Sequence, residues 1–475
     1  MMRLLVASLL FCLCAHGGSN ERRKKYPELY ELVERARSTP PEFAASTLLG
    51  VADSASITEP AWKIELIEEA FRLAAQGQHP VRKKLIQGAP LEGSNSSLSW
   101  AYQQNLDRLT LESTAVERML KLDKKKAGYL FWEIRVPMLV KAECSDFLIN
   151  DTSPYLNAFA AVRQSAISGK KDKLEAIKSI VNNVRSATEL PTLLTALDRS
   201  FSREDRATVV GWIAGAMNRL SGDDRAFSDS LRDVSARVEL LQDVPGLAEA
   251  YRAYLVRHFT APRCQGGKSV EDTKYAATVF NSRLIGSQQA NVSALTETET
   301  TPAKVVELSK RDSAFSGFES LRQTVMDLMF TVPEGHSSAT WRSTNTWRDK
   351  FQGFLRDSLD AKQDARENAE AFFSRKSGML ATAVTIVPMG PQRQRTVTDY
   401  LAFLAHSDMQ RENFILWLAE LGTIVETTRN TRAEEYINIL DALKASGHPV
   451  MSLYATRERL LGSRPEWANP PALLQ

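Results

Sequence analysis

The sequence predicts an all-α fold, and three observations carry that expectation. Apolar residues recur at the helical period, helix-start chemistry recurs along the chain, and period-2 alternation is nearly absent. Residues 59–76 show the period. Trp62, Leu66, Ala70 and Leu73 make one stripe, and Ile64, Ile67, Phe71 and Ala74 widen it. Lys63, Glu68, Glu69, Arg72 and Gln76 form the wet side. Such a face packs against two neighbours at once.

Taken from the N-terminus, the first element is an export signal. Arg3 precedes an apolar run from Leu4 to Ala15, and Ala15-His16-Gly17 has the small-x-small pattern of a cleavage site. Residues 1–17 are therefore expected to be a secretory signal peptide. The run is shorter than the roughly 20 residues of a membrane-spanning helix. Cys12 follows Phe11 and Cys14 follows Leu13, which is not the context of a lipidated cysteine. The chain is expected to be exported, to the periplasm or the outside. The basic segment 18–26, with Arg22, Arg23, Lys24 and Lys25, favours the cytoplasmic side, so an uncleaved N-terminal membrane anchor is the alternative. No later segment reads as an integral span.

Beyond this lie an N-terminal helical region (27–143), a middle one (144–259), a loop-rich connection (260–300) and a C-terminal helical region (301–475). Helix starts are marked by Thr39-Pro40-Pro41-Glu42, which also has capping-box spacing, and by Thr58-Glu59-Pro60, Ser153-Pro154, Asp243-Val244-Pro245 and Thr301-Pro302. Ser202 with Asp205, Ser221 with Asp224 and Ser407 with Gln410 read as further starts. His79–Ser99, Thr260–Thr301 and Val332–Asn345 break the texture as loops, the second holding one helix near Val270–Leu284. Glu412–Glu426 reads as a buried central helix, and Trp62, Trp132, Trp212 and Trp417 sit on apolar faces as core residues. Thr382–Val387 is the one strand-like alternation. No fixed repeat length links the helix starts. The expected architecture is an irregular helix-hairpin array, α-solenoid-like and superhelical, with a compact multi-helix bundle or an α/α toroid as alternatives.

Composition excludes more than it assigns. With 60 basic against 57 acidic residues, no strong pull toward nucleic acid is expected. The five histidines beyond the signal stand far apart, so no metal site is expected, and no catalytic or cofactor motif is present. Gly267-Lys268-Ser269 lacks the upstream glycine of a phosphate loop, where Pro262 stands, and Ser168-Gly169-Lys170-Lys171 lacks the companions of a serine-lysine site. Cys144 and Cys264 remain once the signal is removed, and two cysteines in an exported chain are a natural disulfide. It would close a loop of about 120 residues and stabilise by at most about 5 kcal/mol. Acids around Cys144 read as helix caps in a stapled loop. Trp341-Arg342 and Trp347-Arg348 are the candidate partner contacts, because Trp and Arg are enriched at binding hot spots. The functional expectation is a non-catalytic exported scaffold for a protein or peptide. The alternative is a glycan-active enzyme on an α/α toroid, which needs paired carboxylates across a cleft.

The export and disulfide expectations share one check. The intact mass of the exported protein should match cleavage near Gly17, and thiol label should enter only after reduction. A full-length mass with two freely labelled cysteines rejects both.

Overall fold

The computed structural model describes residues 20–86, 94–143, 146–195, 202–221, 225–241, 244, 246–261, 263–264, 269–285, 292–300, 305–306, 316–365, 367–388, 390–429 and 433–461. Residues 1–17, expected to be a signal peptide, lie outside them. In chain order the first half carries α1 (Pro27–Ala36), α2 (Pro41–Asp53), α3 (Pro60–Ala74), β1 (Lys83–Leu85), α4 (Ser94–Gln103), α5 (Arg108–Leu120), α6 (Lys124–Glu133), β2 (Leu148–Asn150), α7 (Ser153–Ser165), α8 (Lys170–Asn182), α9 (Leu190–Thr195), α10 (Arg203–Arg219), α11 (Arg225–Leu240) and α12 (Leu247–Thr260). There follow β3 (Arg263–Cys264), α13 (Ser269–Thr278), a π-helical turn (Val279–Leu284), α14 (Glu297–Thr300), β4 (Val305–Val306), α15 (Ser316–Phe330), α16 (Ser338–Arg342), α17 (Asn345–Asp360), α18 (Ala369–Ile386), α19 (Pro391–Ala405), α20 (Met409–Glu412), α21 (Phe414–Arg429), α22 (Ala433–Ala445) and α23 (Pro449–Leu461).

The all-α class holds, with strand confined to two short ladders among the described residues. Thr382–Val387 is the last stretch of α18 and its cap, so its alternation is overruled by the helical period around it. Helix starts use two chemistries that do not overlap. Proline-led helices α1, α2, α3, α7 and α19 have no side-chain cap. Among helices without proline, six are capped by Asp107, Asp123, Ser202, Ser337, Thr344 and Asn368, while those that follow Gly169, Gly246 and Asp408 have no side-chain cap. The capping box expected at Thr39 is therefore absent: Pro40 is the cap residue, and the Thr39 hydroxyl donates instead to the Ala36 carbonyl at 2.6 Å. Proline has already removed one donor that a cap would serve.

Contacts divide the chain into two compact units. Unit 1 comprises the described residues of Met1–Gln78, Gln104–Leu106 and Ser313–Gln475, and unit 2 those of His79–Gln103 and Asp107–Asp312. The division differs from the regions read along the sequence, because α1 and α2 pack on α23 at the other end of the chain. A stack that touches only sequence neighbours has no such closure.

Unit 1 is built around α21, whose residues from Phe414 to Ala419 are all fully buried. Phe43 of α2 stacks on Tyr454 of α23 at 6.3 Å and meets Phe414 edge-on at 6.4 Å. The Trp417 indole donates to the Leu404 carbonyl at 2.8 Å, which satisfies its one polar atom. Beside this core lies an ionic cluster. Arg429 donates to Glu426 at 3.0 Å and to Glu458 at 3.1 Å, and the Tyr436 hydroxyl donates to Glu458 at 3.0 Å.

Unit 2 packs α5, α6 and α7 against one another, then pairs α8 with α10, α10 with α12, and α11 with α13. The antiparallel ladder of β1 and β2 sets Lys83 opposite Asn150 and Leu85 opposite Leu148. Under it Ile86, Ala142, Ile149 and Ala226 form a small apolar patch.

Phe43→Ala should cost about 3–5 kcal/mol, because the ring is fully buried between two aromatic neighbours. Urea unfolding checks this; a loss under about 1 kcal/mol would show that the site is not close-packed.

Candidate partner-binding surface

The surface begins at the start of α6. The Asp123 side chain accepts from the Lys126 backbone N–H at 2.9 Å and so fixes the first turn. Ala127 and Phe131 are buried, and Phe131 stacks on Tyr155 of α7 at 5.1 Å, with Phe159 at 5.8 Å. These inward residues set the rotation of the helix. At 100° per residue, Lys125, Tyr129 and Trp132 then share the outer stripe, and Leu122, in the turn before the cap, is also exposed. Tyr129 is 61% exposed and Trp132 50%. Lys125 lies over the Tyr129 ring at 5.9 Å, and the Trp132 ring meets Phe131 edge-on at 5.2 Å.

The helix stops at Ile134, which is already extended (φ −63°, ψ 122°). Pro137 forbids its continuation. Residues 134–143 then run without helix, turn or bend. Both ends of this strap are held. Ile134 is buried; Ala142 is buried in the patch with Ile86, Ile149 and Ala226, and its carbonyl accepts from the Arg225 N–H at 3.1 Å. Between the anchors Met138 is 91% exposed and Val140 80%. The outer stripe of α6 and the strap that follows it thus expose Tyr129, Trp132, Met138 and Val140 along one stretch of chain, a ridge with the exposed Glu133 and Arg135 between its two halves.

Exposed charges along the ridge are mixed, with Lys124, Lys125, Arg135 and Lys141 basic and Glu133 acidic. Lys121, Lys124 and Arg135 are exposed, and among the described residues no carboxylate lies within 4 Å of any of them. Asp123 is occupied as a cap.

The residues singled out from sequence fall elsewhere. Trp347 is fully buried in unit 1, stacked on Phe351 at 5.2 Å with its indole donating to the Leu328 carbonyl at 3.1 Å. It lies on the inward stripe of α17 with Phe351, Phe354 and Leu355, so its ring is closed to a partner in this structure. Trp341 is half-buried near His336, Arg342 is half-buried and Arg348 is exposed. The two rings make no common platform. Trp132 corrects a second expectation: it is half exposed, because Phe131 takes the inward position. Cys144 lies outside the described residues, Cys264 lies in β3, and no disulfide occurs among the described residues. Asp151, among the acids expected near Cys144 to cap a helix, is not the side-chain cap of α7, whose cap residue is Thr152. It accepts from the Ser153 N–H at 2.9 Å and pairs with Arg82 at 2.7 Å.

A buried carboxylate pair sits at the start of α5. Asp107 caps the helix by accepting from the Thr110 N–H at 3.0 Å, and Glu112 accepts from Arg108 at 3.2 Å. Loss of hydration pushes Asp107 up to about 6, against the pull of its Thr110 hydrogen bond and the Arg82 charge. Loss of hydration also pushes Glu112 up to about 7, Arg108 opposing and the Asp107 charge adding to the rise. Both side chains are shut off from solvent, so the pair faces no open cleft. Among the described residues no group of three or more His, Cys, Asp or Glu is placed to hold a metal ion, and no helix is long and apolar enough to cross a membrane. Comparison with protein-family models, with curated proteins and with solved structures returned no match.

The pair makes stability pH-dependent. Unfolded Asp and Glu titrate near 4, whereas the folded groups titrate near 6 and 7, so the folded state holds the extra protons. Their contribution is fully present below about pH 4 and is lost as pH rises through 6 and 7. Glu112→Gln should therefore flatten the fall in thermal midpoint between pH 5 and 8, by an amount worth up to about 3 kcal/mol at pH 8. An unchanged pH slope would refute this.

Proposed function

We propose that the chain is an exported, non-catalytic binding scaffold whose partner is a protein or peptide segment that is acidic and partly apolar. The observation that carries this reading is the ridge from Leu122 to Lys141. It offers Tyr129, Trp132, Met138 and Val140 to solvent, and Lys124 and Arg135 stand exposed beside them in sequence with no carboxylate within 4 Å among the described residues. Aromatic anchors and basic side chains together are the composition of interface hot spots. Complementary charge would speed encounter and select among partners. Export follows from the reading of residues 1–17. The carboxylates Asp107 and Glu112 lend the glycan-enzyme alternative no support, because a substrate has no path to them in this structure.

Selection from a random peptide display against the folded protein tests the proposal. Enriched peptides should carry acidic and apolar residues, and Trp132→Ala should weaken them at least about tenfold, the loss of one hot-spot ring. The substitution should leave stability within about 0.5 kcal/mol, since the ring is half exposed. Peptides that bind the Trp132→Ala protein equally well overturn the proposal. So does the absence of any enrichment, or binding of anionic lipid vesicles that Met138→Asp abolishes, which would make the ridge a membrane-surface contact.

A further inference from the structure

We propose that a cavity within unit 1, walled by the end of α1 and the start of α23, binds a small oxyanion of the phosphate type. The site does not depend on the partner-binding reading above.

The cavity holds about 240 Å³ and is lined by Arg35, Ser38, Thr39, Gly447, Pro449 and Ser452. That is smaller than the pockets that take drug-sized ligands and suits a single charged group. The lining carries one formal charge, the Arg35 guanidinium, and no carboxylate. Arg35 is half-buried and tethered by neutral groups alone: Nη2 donates to the Ser452 hydroxyl at 2.9 Å and Nη1 to the Thr456 hydroxyl at 3.4 Å. Among the described residues no carboxylate lies within 4 Å of it, and Glu31, one turn earlier on α1, makes no ion pair with it. Other half-buried arginines are neutralised: Arg82 pairs with Asp151, Arg375 with Glu367 and Arg429 with Glu458. Arg37, two residues further on, is occupied by Glu69. Arg35 is thus a cation that the fold holds in position without supplying its counter-charge.

The wall favours an anion. Two of the five guanidinium N–H groups are used, so the rest of the fork is open to bidentate contact. The Ser452 hydroxyl accepts from Arg35, and its own proton has no acceptor among the described residues. The carbonyls that end α1 are already occupied. That of Arg35 accepts from the Ser38 N–H at 3.2 Å and hydroxyl at 2.8 Å, and that of Ala36 from the Thr39 N–H at 3.0 Å and hydroxyl at 2.6 Å. Little is left at that end to hold a cation. Across the cavity Pro449 opens α23, and the partial positive charge of a helix start adds to that of Arg35. A carboxylate has two oxygens, both taken by the fork. A phosphate keeps further oxygens for the Ser452 hydroxyl and the start of α23.

Inorganic phosphate, titrated at fixed ionic strength in place of chloride, should raise the thermal midpoint saturably and slow the modification of Arg35 by phenylglyoxal, read by peptide mass. Arg35→Met should lower phosphate affinity at least about tenfold, the loss of one charged fork. If that variant does not fold, the phenylglyoxal rate on the unmodified chain decides alone. Phenyl phosphate separates the sources. Tighter binding than inorganic phosphate assigns the site to a phosphoester, and equal or weaker binding assigns it to the free ion. Absence of saturable binding, an unchanged modification rate, or undiminished affinity in Arg35→Met overturns the proposal. So does protection of Arg35 by acetate at the same concentration as phosphate, because the fork alone would then account for binding.

Discussion

Phe131 decides which way α6 faces. Its ring is fully buried against Tyr155 and Phe159, and a helix has only one rotation that allows this. Everything that reaches the surface follows from that choice. Tyr129 and Trp132 cannot both turn inward while Phe131 does, since they lie on the other side of the helix. The same rotation delivers the chain to Ile134 pointing into the protein, and Ala142 re-enters the core beyond it. The exposed strap is thus a consequence of two buried anchors and of the proline between them. Its apolar side chains are held out where a free loop would fold them in.

Buried charge is handled differently in the two units. In unit 1 the charges meet: Arg429 bridges Glu426 and Glu458, and Tyr436 adds a further bond to Glu458. Removing any one member would strand the others, so the cluster specifies its own geometry without adding much net stability. In unit 2, Asp107 and Glu112 lie close enough for the charge of one to raise the other, and cations reach only part of each. Desolvation wins there, and the carboxyls hold their protons to higher pH than free ones do, Asp107 to about 6 and Glu112 to about 7. A raised carboxylate often marks a catalytic site. Here the groups are a helix cap and an intrahelical partner, both closed to solvent, which is a structural use of the same physics.

Much of the fold was legible in the sequence. The stripe of Trp62, Leu66 and Ala70 is buried as the period requires, and the run expected as a buried central helix is α21. Ser202 caps α10 as its spacing with Asp205 implies. The failures share a cause, which is that periodicity places a residue on a stripe without saying which stripe faces in. Trp132 and Phe131 are adjacent, 100° apart on α6, and the packing of Tyr155 and Phe159 draws Phe131 in while Trp132 stays half exposed. The Trp347 ring was read as a contact, yet Phe351, Phe354 and Leu355 continue its stripe and draw it inward. The strap was legible in part: an apolar run containing Pro137 is neither a helix nor a solvated loop. Its anchors were not, because Ala142 meets Ile86, Ile149 and Ala226, none of them local in sequence.

An exposed extended apolar segment is ordinarily a liability, since it can pair with its own copies. Proteins blunt such edges with proline, with lysine and with like charge at the contact. Two of these are present on this strap: Pro137 interrupts it, and Arg135 and Lys141 close its ends. These devices do not oppose every partner equally. Proline shortens the ladder for any strand, but the positive charge repels only another positive one. Basic residues that would oppose pairing between two copies of this chain would not oppose an acidic segment. Had the segment only to be hidden, burying Met138 and Val140 would have been the simpler solution, and the anchors on either side show that the core is within reach.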